Sequence, residues 1–231
     1  MTDKILYDLR GVSKEFVKGK EKITIFDNLN MSIKEGEFLA IMGPSGSGKT
    51  TLLNLLGGVD KPTSGEIWFN GSRVDNLSES QLAKWRAGNI GFIFQFYNLM
   101  PMLNAERNVE LPLLLTNLSS KQRKERVAAA MELVGLSDRA KHMTSEMSGG
   151  QQQRVAIARA IVSDPKLILC DEPTGDLDRK TADEILSMLQ LLNRDFGKTI
   201  LMVTHDPSAA TYAKRTLHLD KGEFVEKELT T

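Results

Sequence analysis

Cysteine is almost missing from this 231-residue sequence: Cys170 stands alone, so no disulfide can form within the chain. It closes the apolar run Leu167-Ile168-Leu169-Cys170, where it reads as a small buried hydrophobe, and a reducing, cytoplasmic setting fits. No apolar run approaches the roughly 20 residues needed to cross a bilayer. The opening Met1-Thr2-Asp3-Lys4 leads straight into a strand-like segment. Direct membrane insertion is therefore not expected, and any link to a membrane has to come through a partner. Net charge is missing as well. Thirty Lys plus Arg balance thirty Asp plus Glu, which leaves no field to draw the chain onto DNA, RNA or an anionic bilayer and argues against a nucleic-acid partner. Internal repeats, low-complexity tracts and flexible linkers are also absent, so nothing suggests a second independent module.

What is present is enough apolar content, 41% of residues, to bury a sizeable core. Short runs of β-branched and aromatic residues alternate with helical patterns, the signature of an α/β fold with a mostly parallel sheet. The clearest expected strands are Phe38 to Met42, Ile90 to Phe94, Leu167 to Cys170 and Ile200 to Val203, and their near-continuous hydrophobicity suits strands covered on both faces. Each is followed at once by polar residues. Ligands of open α/β sheets bind just beyond the carboxyl ends of the strands, so those polar residues are the first candidates for a site. From 78 to 163 the pattern turns helical, with capping boxes expected at Ser78 with Gln81 and at Ser119 with Gln122. This reads as an α-helical subdomain inserted into a core made of 1–77 and 164–231. Antiparallel additions are expected from Ile5 to Val12, from Ile23 to Ile33, and from Thr216 to Glu228 folded about Lys221-Gly222.

Gly43-Pro44-Ser45-Gly46-Ser47-Gly48-Lys49-Thr50 lies between an expected strand and the helical run that opens with Thr51, the context a Walker A motif requires. Small residues let consecutive backbone N–H groups point at a β-phosphate, Lys49 reaches the β- and γ-oxygens, and the Thr50 hydroxyl can ligate Mg2+ beside a positive helix end. The ligands implied are ATP and Mg2+. Downstream, four apolar residues lead into Asp171-Glu172. Asp171 then sits at a strand tip for Mg2+, and Glu172 can orient and deprotonate the attacking water. Taken alone, that pair could equally be a capping pair after a buried strand. His205 ends the apolar run Ile200-Leu201-Met202-Val203-Thr204 and can reach a γ-phosphate or hold the water, although a lone histidine at a strand end is more often structural. His142 and His218 have no such context and read as surface residues.

Met147-Ser148-Gly149-Gly150-Gln151-Gln152-Gln153-Arg154-Val155-Ala156-Ile157-Ala158-Arg159-Ala160 resembles the signature motif of ATP-binding cassette (ABC) ATPases. Read physically, Ser148 can cap a helix whose first N–H groups, near two glycines, stay open for an anion, while Val155, Ala158 and Ile161 supply a buried stripe. Two anion-binding helix ends in one chain invite a symmetric pair of chains with ATP in the interface. The resemblance implies this arrangement, a head-to-tail sandwich of two copies in which Ser148, Gly149, Gly150 and Gln151 of one chain meet the nucleotide of the other.

The same resemblance assigns further roles one residue at a time. Phe16 looks like the aromatic that stacks on adenine, with core packing the competing reading. Gln95 resembles the glutamine that touches Mg2+ and water, Asp178 the aspartate that communicates across the dimer, and Thr51 the residue completing the phosphate cradle. Met147 stands where Leu is usual, and Asp176 where a small residue or Asn is usual. Gly57-Gly58-Val59-Asp60-Lys61-Pro62-Thr63-Ser64-Gly65 and Asn108-Val109-Glu110-Leu111-Pro112-Leu113-Leu114 look most like the bacterial lipoprotein-release and macrolide-export ATPases, LolD-like and MacB-like. That group implies an ATPase on the cytoplasmic face that drives integral membrane permease subunits by closing on ATP. The apolar loop Phe96-Tyr97-Asn98-Leu99-Met100-Pro101-Met102-Leu103 either packs into the helical subdomain or forms an exposed patch on which the permease docks; docking is the expectation, with Tyr97 and Leu99 carrying the contact. The rival expectation is an ABC ATPase that regulates a cell-division membrane complex without transport; a P-loop kinase would leave the signature helix without purpose.

Overall fold

The computed structural model describes residues 4–19 and 21–225. Met1–Asp3 and residues 226–228 of the expected terminal addition lie outside that range. In chain order the elements begin with β1 (Ile5–Lys18), β2 (Glu21–Lys34), β3 (Phe38–Met42), α1 (Lys49–Leu56), β4 (Ser64–Phe69) and β5 (Ser72–Arg73). Next come α2 (Glu79–Asn89), β6 (Ile90–Phe94), α3 (Ala105–Glu110), α4 (Ser120–Leu133), α5 (Gly149–Ile161) and β7 (Leu167–Asp171). The chain continues through α6 (Arg179–Phe196), β8 (Thr199–Thr204), α7 (Pro207–Ala210), β9 (Arg215–Asp220) and β10 (Glu223–Val225).

The chain packs as two compact units, one joining the stretch up to Arg86 to that from Thr199 onward, the other running Ala87–Lys198. In the first, β3 pairs in parallel with β8 on one side and β9 on the other, and β10 pairs antiparallel with β9. A separate antiparallel layer in the order β2-β1-β4-β5 belongs to the same unit. The expected antiparallel additions are therefore present within the described residues, and the first two run longer than the sequence pattern suggested. In the second unit β6 pairs in parallel with β7, and α3 to α6 accompany them.

Burial explains the strand composition. Phe38 to Ile41, Leu167 to Cys170 and Ile200 to Val203 are all 0% exposed, which only strands covered on both faces achieve. Cys170 is among them, and burial pushes its thiol far above the ordinary range, so it behaves as the inert hydrophobe the sequence suggested. Both expected capping boxes form. Ser78 N–H donates to Gln81 Oε1 and Gln81 N–H to Ser78 Oγ, and Ser119 and Gln122 make the same reciprocal pair at the start of α4. The buried side of α5 is wider than the expected stripe: Val155, Ala156, Ile157 and Ala158 are all fully buried, whereas Ile161 is only half-buried. His142 and His218 are likewise half-buried rather than plainly on the surface.

Candidate active site

In the first unit the chain leaves β3 at Met42 and β8 at Thr204, and these two residues are register partners. Gly43 and His205 therefore emerge at the same sheet edge, at the carboxyl ends of two parallel strands. Leu219 of β9 crosses the loop so closely that a β-carbon on Gly43 would lie 2.1 Å from its carbonyl oxygen. Glycine is required there for space. Gly48, at φ 104°, is required for its backbone: it is the left-handed N-cap of α1, with no side-chain cap. The first N–H groups of α1 are consequently left for an anion.

Two further details fit a phosphate ligand. Ser47 Oγ is buried and has no hydrogen-bond partner among the described residues, an unsatisfied polar atom of the kind that a bound oxygen would relieve. Lys49 is 8% exposed, and its ammonium folds back over the loop to donate to the carbonyls of Gly43 (2.8 Å) and Pro44 (2.7 Å). That brace keeps the lysine positioned with a donor to spare. Pro44, Ser45, Gly46 and Thr50 are exposed, and Thr51 is half-buried. Gly43→Ala is expected to cost about 1–3 kcal/mol of stability by overpacking and to weaken nucleotide binding with it, since Leu219 cannot retreat without shifting β9. Thermal melting with and without ATP tests this.

Phe16, on β1, is 42% exposed, so it is not a core residue.

The second unit repeats the strand-end logic. Phe94 of β6 and Asp171 of β7 are register partners, so Gln95 and Glu172 follow at one edge. Glu172 has φ 47°, a left-handed conformation uncommon for a residue with a β-carbon and frequent at functional positions. Its carbonyl accepts from Gly175 N–H at 3.1 Å. A β-carbon on Gly175 would lie 2.9 Å from Gln95 Nε2, so this glycine makes room for the glutamine side chain.

Ser148 is the N-cap of α5, in a reciprocal capping box with Gln151. Its hydroxyl oxygen accepts from Gln151 N–H, which leaves the hydroxyl proton to be donated elsewhere, and the first-turn N–H groups of Gly149 and Gly150 have no intrahelical acceptor. Gly150 also serves packing, because a β-carbon there would come 2.4 Å from Thr181 Cγ2 of α6. Asp178 is the N-cap of α6, accepting from both the hydroxyl (2.6 Å) and the N–H (3.1 Å) of Thr181. The hydroxyl bond, then the backbone bond, hold its carboxyl below the usual range.

The sequence pattern of the ABC transporter family matches residues 26–175, a stretch holding the phosphate loop, the capped glycine pair and the acidic strand end just described. The chain belongs to the ABC transporter family. Among its relatives, the lipoprotein-releasing system ATP-binding protein LolD of Oleidesulfovibrio alaskensis is 42% identical, over 96% of each chain. The macrolide export ATP-binding/permease protein MacB of Rhodopseudomonas palustris is 44% identical; that match covers 97% of this chain and 34% of MacB. A solved dimer of the ATP-binding cassette MJ0796 in a post-hydrolysis state, bound to ADP and Pi, superposes with a TM-score of 0.88 at 44% identity, covering 96% of this chain and 98% of that one. The chain is thus an ABC ATPase of the LolD/MacB-like group, built as the P-loop α/β fold.

This ABC ATPase uses residues that its motifs did not single out. Gln153, 0% exposed, donates through Nε2 to the carbonyls of Phe94 (3.2 Å) and Pro173. It thereby holds the start of Gln95 and the turn after Glu172 against α5. Arg159 donates to the carbonyls of Tyr97 (2.8 Å) and Asn98 (2.6 Å), two residues with φ of 57° and 50°. Asn108, also 0% exposed, receives Met100 N–H and donates to the carbonyls of Met100, Leu103 and Asn104. The loop 96–103 is therefore pinned by its backbone. Exposure within the loop is uneven: Tyr97 and Leu99, the expected contact residues, are half-buried, whereas Phe96 (68%), Met100 (46%) and Met102 (71%) are exposed. Tyr97 instead donates to Asp176 Oδ2 at 3.4 Å, and burial, then the Asp176 charge, raise its phenol. The unusual aspartate is thus partnered, and Met147, 7% exposed, fills the place of the usual leucine.

Proposed function

We propose that the chain binds Mg-ATP in the 43–51 cradle and hydrolyses it in a head-to-tail dimer, driving an integral membrane permease by mechanotransmission, as in lipoprotein release or export. The observation that carries this reading is the second anion-ready helix end at Gly149 and Gly150, which a monomeric phosphate site would not need. In this proposal Lys49 and the N–H groups of α1 bind the β- and γ-phosphates, and Phe16 stacks on adenine. Glu172 takes the proton of the attacking water while His205 and Gln95 hold that water in line. Ser148, Gly149, Gly150 and Gln151 serve the nucleotide of the second copy, and Asp178 reports across the seam. Among the described residues no group of three or more His, Cys, Asp or Glu could hold a metal unaided. Mg2+, however, is commonly held by one or two carboxylates together with substrate phosphates, so the oxygens of Thr50, Asp171 and Gln95 suit it. When bound it would neutralise charge on the phosphate oxygens.

No helix among the described residues is long and apolar enough to cross a membrane. The MacB relative is named as both an ATP-binding and a permease protein, which supports a permease as the partner of this chain. A peripheral location on the inner face of the membrane follows from that partnership. The division into a core of 1–77 and 164–231 with a helical subdomain of 78–163 is part of the same proposal. Replacing Phe96 and Met102 together by Ser is the discriminating experiment for the permease. Basal ATPase and melting temperature are expected to stay near those of the native protein, because neither side chain is buried. Partner copurification and partner-stimulated turnover are expected to fall about tenfold or more, the loss typical of removing apolar anchors. Unchanged stimulation would end the docking assignment.

A further inference from the structure

Phe16 is 42% exposed, and the ammonium of Lys14 lies over its ring, 4.7 Å from the centroid. Lys14 is itself an unusual residue, 7% exposed on strand β1, and charged side chains are rarely buried without partners. Its partners are specific: both carboxylate oxygens of Asp60 at 2.7 Å and the carbonyl of Lys61 at 2.8 Å. Asp60 in turn is tied to the phosphate-loop helix, since its N–H donates to the carbonyl of Asn54 in α1 at 3.1 Å. A chain of direct contacts therefore runs from α1 through Asp60 and Lys14 to the aromatic ring.

A half-exposed phenylalanine would ordinarily sample several rotamers, and ordering it on binding would weaken the ligand. A buried cation held over the ring restricts that freedom in advance. We infer that Lys14 is a positioning residue for the nucleobase: it orients Phe16 through a cation–π contact and links the ring to the helix that holds the phosphates. This inference rests on the reading of Phe16 as the adenine platform.

The test is a double-substitution cycle on the full chain, reading ATP affinity by calorimetry, with Lys14→Gln and Phe16→Ala alone and combined. Lys14→Gln can still donate to Asp60 and to the Lys61 carbonyl but loses the cation; Lys14→Arg, which keeps the charge over the ring, is the second variant. The expected result is that Phe16→Ala weakens ATP, that Lys14→Gln weakens it about three- to tenfold, and that Lys14→Gln has no added effect once Phe16 is alanine. Lys14→Arg should remain close to native affinity. Equal losses from Lys14→Gln in both backgrounds would overturn the inference, since the lysine would then act through the fold and not through the ring. A loss from Phe16→Ala with none from Lys14→Gln would overturn it too, while leaving the adenine platform standing. No loss from Phe16→Ala would remove the platform and the inference together.

Discussion

Replacing Glu172 by glutamine is expected to stop ATP hydrolysis, lowering turnover about 10²–10⁴-fold, the range attributed to a positioned general base. The amide still hydrogen-bonds water but does not accept its proton. It occupies the same volume, so the left-handed conformation at φ 47° and the turn closed by Gly175 N–H should persist. ATP binding should survive unchanged. Hydrolysis is what releases a sandwich dimer, and without it each ATP continues to serve two chains, so mass action should favour the dimer. Light scattering of the variant should give twice the monomer mass in Mg-ATP and the monomer mass in its absence. A turnover close to native would remove Glu172 from the role of base. A silent turnover with no nucleotide-dependent change in mass would instead count against the head-to-tail dimer, and against the reading of Gly149 and Gly150 as a second anion site.

Lys49→Ala should act one step earlier, at binding. Charge-assisted hydrogen bonds contribute roughly 1.5–3 kcal/mol each, so losing the ammonium's contacts to the β- and γ-oxygens is expected to weaken ATP about 100-fold or more. The structure adds a second cost. The ammonium also braces the carbonyls of Gly43 and Pro44, so the alanine variant is expected to loosen the loop proposed to cradle the phosphates. Calorimetry with ATP tests the first effect, and melting without nucleotide measures the second. A native dissociation constant would refute the assignment of Lys49, whatever the melting curve shows.

Much of the candidate site was legible in the sequence because its parts are local. A strand, a turn of glycines and serines, and a helix must follow one another directly if consecutive N–H groups are to face one anion, so 43–51 carries its own explanation. The same holds for Ser148 as the cap of α5, and for the boxes of Ser78 with Gln81 and Ser119 with Gln122, each completed within a single turn. Buried parallel strands were legible for a related reason: covering both faces demands an unbroken apolar run, and polar residues just after such runs mark the strand ends.

Other features joined distant parts of the chain, and no local pattern encodes them. Lys14 meets Asp60 across 46 residues, Gln153 meets Phe94 across 59, and Arg159 meets Asn98 across 61. In the sequence Gln153 is the third of three glutamines and Arg159 one arginine of a helix; only packing turned one inward and gave the other two carbonyls to hold. The hydrophobic loop 96–103 shows the same limit. Composition marked it as apolar, yet the loop's backbone carbonyls are claimed by Arg159 and Asn108, and in the folded chain Phe96 and Met102 are exposed while Tyr97 and Leu99 are half-buried. Short-range geometry thus determined the candidate phosphate site and the type of fold that carries it. Tertiary structure decided which side chains brace that site and which remain exposed, because burial and orientation are set by contacts that exist only once remote segments have come together.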